Sequence, residues 1–540
     1  MSTNMTRKEF IRNAALGATA VMTAGLVGCS NATSSSASKE TSVPDWMPPK
    51  WDYETEILVC GYGGSGAITA IRATDNGAKV LIIEKQKQDI EGGPIHQTNS
   101  FRMSASAMMS FKTEQGAIDY LTETSFGRTP DDVIKSWAKY ATRTADYLKS
   151  LGGNPRNNGD KTSEYPEELL PSARTYDQYM FANRGLEMWE VIDKACKDRN
   201  IQVVFETPAK NLIQDYDGKV VGVVATQNGQ DIYIKATKAV ILSTGGFEYD
   251  FEMLNQYVYC KPVRFYANPG NTGDGIRMAQ IAGADLWHMY LIGGRLIPFI
   301  DELGHGVMGG TPTPSFLVNK YGKRFMRENW KSHSAVLESF VFSTDLCDFP
   351  NAPCFSLFDQ SAVDAGTVVG TSMGLLKIGQ YQWSKDNSAE IEKGWILKGD
   401  TIEELAGKMA ADPDVGSRMD PAVLAETLAT YNKYVEAGKD PDFGRSTATL
   451  KAITKAPYYA LKLYPGGVNT FGGPRRNAKS QIVRPDGTEI PHLYGTGEMG
   501  SILGFLYSGG GWNICECVTS GQLAADNAVN ETPWEELAKK

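Results

Sequence analysis

Glu56-Ile57-Leu58-Val59-Cys60-Gly61-Tyr62-Gly63-Gly64-Ser65-Gly66 is the stretch on which the fold turns. Its first five residues are an apolar run with β-branched members, the pattern of a buried strand. Three glycines follow in the spacing Gly61-x-Gly63-x-x-Gly66, then a helical stretch from Ala67 to Asn76. A second strand, Lys79–Ile83, ends on Glu84 and Lys85. Gly61 permits a tight turn, Gly63 lets a pyrophosphate approach the backbone, and Gly66 packs helix against strand. Phosphates would sit at the helix N-terminus beside Gly64 and Ser65, where free N–H groups and the helix dipole favour anions. Glu84, 23 residues after Gly61, suits the hydroxyls of a ribose. A glycine turn with no ligand is the competing account. The strand before it, the helix after it and the acid at that distance argue for a dinucleotide.

Working outward, the 540 residues carry 63 acidic and 54 basic side chains, 41% apolar residues and 55 glycines. That length leaves room for several domains and a large core. A net charge of −9 provides no basic face for nucleic acid. Arg7, Lys8 and Arg12 precede an apolar stretch, Ala14–Gly28, which falls short of the ~20 residues that span a bilayer. Leu26-Val27-Gly28-Cys29 reads as a lipoprotein processing site. Thr6–Arg12 resembles a twin-arginine export signal with Lys in place of the second Arg. Residues 1–28 are therefore expected to be a signal peptide and residues 29–51, rich in Ser and Pro, a tether. The expected location is the extracytoplasmic face of the cytoplasmic membrane. The eight cysteines contain no CxxC or CxxCH and the five histidines no HxxxH, so spacing supports neither zinc nor c-type haem.

Further along, Asn211–Tyr216, Lys219–Thr226 and Asp231–Ala236 are separated by Asp217-Gly218 and Asn228-Gly229, which reads as a β-meander. A buried strand, Ala239–Leu242, runs into Ser243-Thr244-Gly245-Gly246. Asn271-Thr272-Gly273-Asp274-Gly275 opens another helix. Near the C-terminus a strand ends at Gly497-Glu498, and Ser508-Gly509-Gly510-Gly511 leads into a helix from about Asn513. Glycine segments of this kind near both ends imply one long cofactor that draws the termini together.

Taken in order, these segments resemble the fumarate reductase/succinate dehydrogenase flavoprotein family, in the branch that includes 3-ketosteroid dehydrogenases. Glu84, Gly92-Gly93 and Gly322-Lys323-Arg324-Phe325 belong to the same pattern, which runs from Asp52 to about Asn527. The resemblance implies FAD and an α/β architecture. A Rossmann-type FAD-binding domain of mixed sheet plus β-meander would carry an inserted α+β capping domain. Residues 52–286 and 465–540 are expected in the flavin domain and residues 287–464 in the cap. The resemblance also implies that Gly92 and Gly93 lie near the flavin, Glu498 near its ribityl chain and Ala209 near the adenine. Thr244, Gly245, Gly273, Asp274, Asn513 and Ile514 complete the expected cofactor contacts.

Dicarboxylate reductases of this family grip two carboxylates with His and Arg and use a cap-domain Arg as proton donor, a natural use of guanidinium forks. Here the proton-donor position falls at Ser332, a clamp His at Asn469 and a clamp Arg at Tyr507. All three departures speak against fumarate. Tyr507 followed by Gly509 and Gly511 resembles the ketosteroid pattern, in which a tyrosine hydroxyl and a glycine N–H four residues later bind one carbonyl oxygen. Hydride delivery to the β-carbon of an enone throws negative charge onto that oxygen, and two oriented donors stabilise it. A packed aromatic under a glycine turn is the competing account of Tyr507. For the proton donor, Tyr290, Arg295, His333 and Tyr458 lie on segments that the family brings to the pocket, and spacing does not choose among them. Arg324 either contacts substrate or caps its own turn. His288 and His305 read as structural, and Cys515 and Cys517, two apart on a helix, as thiols that point away from each other.

No second Gly-x-Gly-x-x-Gly with an acidic partner suggests an NAD(P)H site. The expected electron source is a membrane-bound cytochrome or flavoprotein, held beside the enzyme by lipid on Cys29. The leading function is an exported FAD-dependent reductase of a C=C bond conjugated to a carbonyl. Its substrate would be a bulky, mostly apolar molecule such as a steroid, a lactone-bearing glycoside or a phenolic ketone. Three alternatives stand beside it: reduction of an unsaturated carboxylate through Arg295 or Arg324, 3-ketosteroid desaturation in the reverse direction, and an electron-transfer flavolipoprotein with no chemistry of its own.

Overall fold

The computed structural model describes residues 47–88, 107–328, 333, 335–371, 376 and 379–537. Gly92, Gly93, Ser332 and the leader with Cys29 lie outside the described residues.

Strand β1 (Tyr53–Cys60) enters helix α1 (Gly64–Asp75) through the glycine turn, and β2 (Val80–Ile83) returns parallel to it, Val59 opposite Ile82. The turn leaves no room for a side chain at Gly66, because a Cβ there would stand 2.0 Å from the Gly61 carbonyl oxygen. Two further strands, β3 (Ala107–Phe111) and β4 (Tyr176–Met180), pair antiparallel in a small separate sheet. The parallel layer continues with β5 (Gln202–Val204) on β2. The meander consists of β6 (Ala209–Gln214), β7 (Val220–Gln227) and β8 (Gln230–Leu242).

The sequence suggested separate strands at Asp231–Ala236 and Ala239–Leu242; they are one strand, β8, with two sets of partners. Its first half pairs antiparallel with β7, Lys235 opposite Gly222, and its second half lies parallel to β1, Ile241 opposite Val59. One long strand thus welds the meander to the parallel layer.

On the same layer Ile57 and Val59 pack with Ala67, Ile68 and Ile71 of α1, while Leu58 and Cys60 face Val220, Val223 and Ile234 of the meander side. Both faces are covered, which is why the strand reads as an unbroken apolar run. Each fully buried Ile or Leu contributes roughly 1.5–3 kcal/mol.

Helix α2 (Asp274–Ile281) follows, and then a second sheet of six strands. It contains β9 (Ile292–Ile297), β10 (Ser315–Asn319), β11 (Cys354–Asp359), β12 (Ile396–Gly399) and β13 (Tyr458–Thr470). Its sixth strand, Arg264–Phe265, pairs with Gly466 and Gly467, and β13 runs without a break through residue 464. The domain boundary expected at 464 therefore falls inside a strand. The chain then returns to the first sheet through β14 (Gln481–Val483) and β15 (Glu489–Gly495), which pairs parallel with β8, Tyr494 opposite Ile241. Helix α3 (Trp512–Ala528) packs on α1, with Gly521 allowing close approach to Ser65 and Thr69. The strand order of the first sheet is β14-β15-β8-β1-β2-β5, with β6 and β7 carried on β8. The fold is the expected mixed α/β architecture.

Candidate active site

A cleft of about 1050 Å³, counted to its open mouth, runs along the carboxyl ends of β1, β2 and β8 to the start of α3. In open parallel sheets this is where ligands bind. Of the residues expected to touch the cofactor, Gly61, Gly63, Gly64, Ser65, Glu84, Lys85, Ala209, Thr244, Gly245 and Asp274 line the cleft. Glu498, Asn513 and Ile514 line it as well. Gly66 and Gly273 do not. Gly66 packs α1 on its own turn, and Gly273, at φ 71°, caps α2 against Met253 and Phe247. Both shape the wall from behind.

Local chemistry explains the wall. Glu84 accepts the backbone N–H of Tyr62 at 2.7 Å on one oxygen and that of Gln86 at 2.8 Å on the other. Each carboxylate oxygen accepts more than one hydrogen bond, so capacity is left for ribose hydroxyls. Lys85 Nζ bridges to Asp274 at 2.7 Å and Thr272 at 2.8 Å, tying two glycine segments together across the cleft. Asn271 of the Asn271–Gly275 segment lines the same space, as do Gln86, Asn268 and Val468, which sequence reading missed. Asn469, noted only as a missing clamp histidine, also lines it. Apart from Asn271, none of these has a motif of its own.

Two amides show that the cleft fits a polyhydroxyl ligand. Asn469 and Asn513 both donate towards Glu498, Asn513 Nδ2 at 3.4 Å from Oε2. Their own oxygens, Oδ1 of each, are buried with no donor among the described residues. Buried acceptors without donors are costly unless a ligand supplies them. The hydroxyls of a ribityl chain are donors of the required kind.

A second cluster forms beside the N-terminus of α3. Tyr507 is buried, with the His333 ring edge-on at 4.7 Å and Phe471 at 5.5 Å. The sequence suggested Tyr507 and Gly511 as two parallel donors to one substrate oxygen. The backbone N–H groups of Asn513 and Gly511 stand near the Tyr507 hydroxyl and favour charge on its oxygen. Gly511, at φ 121°, makes the turn that presents them. Burial pushes the phenol up, and these N–H groups and the nearby Arg295 cation oppose that.

His333 Nδ1 lies 2.5 Å from Glu164 Oε1, and its backbone N–H donates to the same carboxylate at 2.9 Å. Its Nε2 is 2.8 Å from Arg295 Nη2. A guanidinium has no acceptor, so Nε2 must accept and the ring hydrogen sits on Nδ1. His333 is therefore neutral; burial and the Arg295 cation hold its pKa down against Glu164. Arg295 Nε is buried with no partner among the described residues. Glu164, which sequence reading missed, reaches the site from a loop with no motif.

The remaining candidates are corrected. Tyr290 spends its hydroxyl on the Gly504 carbonyl at 2.6 Å and stacks under Arg128. Tyr458 stands at the opposite end of β13 from Val468 and Asn469, about 33 Å along the strand at ~3.3 Å per residue. Arg324 is sealed between Glu328 and Asp440 at 2.7 and 2.9 Å, in the core of the second sheet's domain. His288 and His305 rest on backbone carbonyls, as the sequence suggested. Cys517 lines the cleft while Cys515 packs on the other side of α3.

Fold and cleft together define a flavoprotein oxidoreductase that binds FAD and acts on carbon–carbon bonds. The chain belongs to the FAD binding domain family, which matches residues 56–514. Its relatives are fumarate reductase-like and 3-oxosteroid dehydrogenase-like flavoproteins. The chain is 24% identical to a digoxin reductase of Eggerthella lenta over 98% of each chain. It is 28% identical to a probable fumarate reductase of Shewanella frigidimarina, over 88% of this chain and 75% of that one. Among solved structures, the 3-ketosteroid Δ1-dehydrogenase of Sterolibacterium denitrificans superposes with a TM-score of 0.73 at 21% identity, covering 88% of this chain and 99% of the other. That last likeness concerns the fold.

Proposed function

We infer that this protein is an exported reductase of carbon–carbon double bonds conjugated to a carbonyl, in bulky and mostly apolar small molecules. The observation that carries the reading is the buried Tyr507 hydroxyl beside His333 and Phe471, an uncharged donor at a position where dicarboxylate-reducing relatives would need a cation. Gly61–Ser65, Glu84 and Glu498 would hold the FAD, which in its reduced form would supply hydride chemistry at the carbon β to the carbonyl. As the carbonyl oxygen gains negative charge, Tyr507 donates to it, and the nearby backbone N–H groups of Asn513 and Gly511 favour charge on the phenol oxygen. Arg295, held by His333 with its Nε–H left over, gives the proton that completes saturation at the α-carbon. The relative that matches along 98% of both chains is named as a digoxin reductase, which supports reduction of a small molecule by this chain. The sequence of the leader supports a lipid anchor at Cys29 and electrons from a membrane-associated donor.

Anaerobic holoenzyme, reduced with a viologen dye and mixed with a panel of enones and unsaturated acids, tests the reading. Enones should reoxidise it, and Tyr507→Phe should slow that reoxidation roughly 100–1000-fold while FAD content stays unchanged. Wild-type rates in Tyr507→Phe would remove the phenol from the mechanism. The buried, unpartnered Arg295 Nε also favours a second reading, in which Arg295 binds a substrate carboxylate. Activity confined to unsaturated acids, lost in Arg295→Ala and kept in Tyr507→Phe, would select it. Rapid turnover with NADH as sole reductant would overturn the proposed electron route.

A further inference from the structure

The second sheet carries, beside the cofactor cleft, a hydroxyl for which hydride and proton transfer have no use. Tyr266 is only 3% exposed, and no described residue hydrogen-bonds its side chain. By contrast, Tyr249 spends its hydroxyl on the Phe265 and Ala267 carbonyls at 3.2 and 3.3 Å, and Tyr494 spends its own on Glu531 at 2.6 Å. Those Tyr249 bonds, with His305 on the Ala267 carbonyl at 2.9 Å, hold the backbone on either side of Tyr266. The register shows which way its side chain turns. The short strand Arg264–Phe265 runs parallel to β13 with Arg264 opposite Gly466, and β9 runs antiparallel on the other side with Arg295 opposite the same Gly466. Residues opposite one another share a face of the sheet. Arg264 marks that face by lying 5.4 Å from the ring centre of Tyr464, two residues before Gly466. The Tyr266 N–H extends the ladder to the Gly467 carbonyl at 2.9 Å, so Tyr266 faces the same way, level with Val468. Val468, Ala267 and Asn268 line the cofactor cleft, which this face therefore adjoins.

The middle of the face is bare. A Cβ at Gly466 would collide with the Arg264 carbonyl oxygen, so that position admits no side chain. The strands on either side lie two spacings apart, about 10 Å. One leads into Tyr266, and the other carries Arg295, whose Nε is buried with no partner among the described residues. A floor without a side chain thus has an uncommitted donor at each side. Burial pushes the Tyr266 phenol up, and the Arg295 cation opposes that only in part, so the hydroxyl keeps its hydrogen. A hydrogen-bonding group taken out of water is costly until a partner is supplied. We propose that Tyr266 is a substrate-binding residue whose hydroxyl donates to a second oxygen of the substrate, distinct from the carbonyl oxygen that Tyr507 receives. This role rests on the enone reading above and narrows it to molecules that carry a further carbonyl, ether or hydroxyl oxygen.

Titration of oxidised holoenzyme, followed by flavin absorbance, measures ligand binding without turnover. The probes are enones in matched pairs, with and without one additional oxygen, a steroid enone with and without a ketone on its far ring among them. In wild type the oxygen-bearing member of a pair should bind roughly 10-fold more tightly. Tyr266→Phe should abolish that preference, leave the Kd of the plainer member unchanged and retain FAD. A preference that survives in Tyr266→Phe would overturn the proposal. So would an equal loss of affinity for both members, the mark of a purely structural tyrosine. Binding of both members without preference in wild type would overturn this role alone, whereas binding of neither member of any pair would remove the enone reading and this role with it. Should Tyr266→Phe lose FAD, wild type still decides. The infrared stretch of an isotope-labelled second carbonyl, bound to wild-type holoenzyme, should lie below its value in an apolar solvent. An unshifted band would overturn the proposal.

Discussion

Glu164 Oε1 and His333 Nδ1 stand 2.5 Å apart, and that contact fixes the tautomer on which Arg295 depends. With hydrogen on Nδ1, the bare Nε2 receives Arg295 Nη2 at 2.8 Å and holds the guanidinium in place. Glu164→Ala frees the ring to carry hydrogen on Nε2, where it would repel Arg295. The expected result is a fall in kcat of about 100-fold, the scale of an ångström-level misplacement, with FAD content retained. Glu164→Gln keeps a carbonyl acceptor for Nδ1–H and should recover part of the rate. Equal rates in all three proteins would detach Glu164 from the site.

Gly66→Ala tests the turn that shapes the cofactor wall. The added Cβ would meet the Gly61 carbonyl oxygen at 2.0 Å, so backbone must move. The purified variant is expected to lose most of its flavin, read as the ratio of visible to ultraviolet absorbance. Full flavin content would show that the turn tolerates the shift.

Arg476 and Glu516 form an ion pair beneath the cleft, with side chains 2% and 0% exposed. Arg476 also donates to the Gly500 and Gly495 carbonyls, and Glu516 accepts the Trp137 indole N–H at 2.7 Å. Removing one partner leaves a buried charge, which typically costs about 3–5 kcal/mol. Glu516→Ala should therefore lower the denaturation midpoint of the holoenzyme far more than Lys149→Ala, which breaks an exposed pair. Similar midpoints for the two would contradict the assignment.

Stability should also depend on histidine neutrality. Burial holds His288, His305 and His333 below their ordinary value of 6.5. Unfolded, each takes up its proton near 6.5; folded, each remains neutral to lower pH. The unfolded chain therefore binds more protons in that interval, and the stability present above pH 6.5 is lost as pH falls. The melting temperature is expected to drop between 6.5 and the glutamate range near 4.5. A flat profile across that window would disprove it.

The glycine turn, Glu84 and the parallel strands were legible because each is a local pattern: a run of apolar residues, a spacing of glycines, an acid at a fixed distance. Dinucleotide binding uses backbone N–H groups at one helix start, so its residues must be close in sequence. The single strand β8 was less legible, since only its two sets of partners reveal that Gln230–Leu242 is continuous. Glu164 carried no signal, because its importance lies in facing His333, 169 residues away.

By itself, then, the sequence determined the cofactor class, the sheet that holds it and the uncharged character of position 507. Tertiary structure alone decided which candidates meet. It removed Tyr290, Tyr458 and Arg324 from the site and left Arg295 and His333 in it. It also brought in Glu164. The physical reason is that acid–base and charge-pair roles depend on distances of a few ångströms between side chains from separate segments. Residue order along one chain does not encode those distances until the sheets have packed.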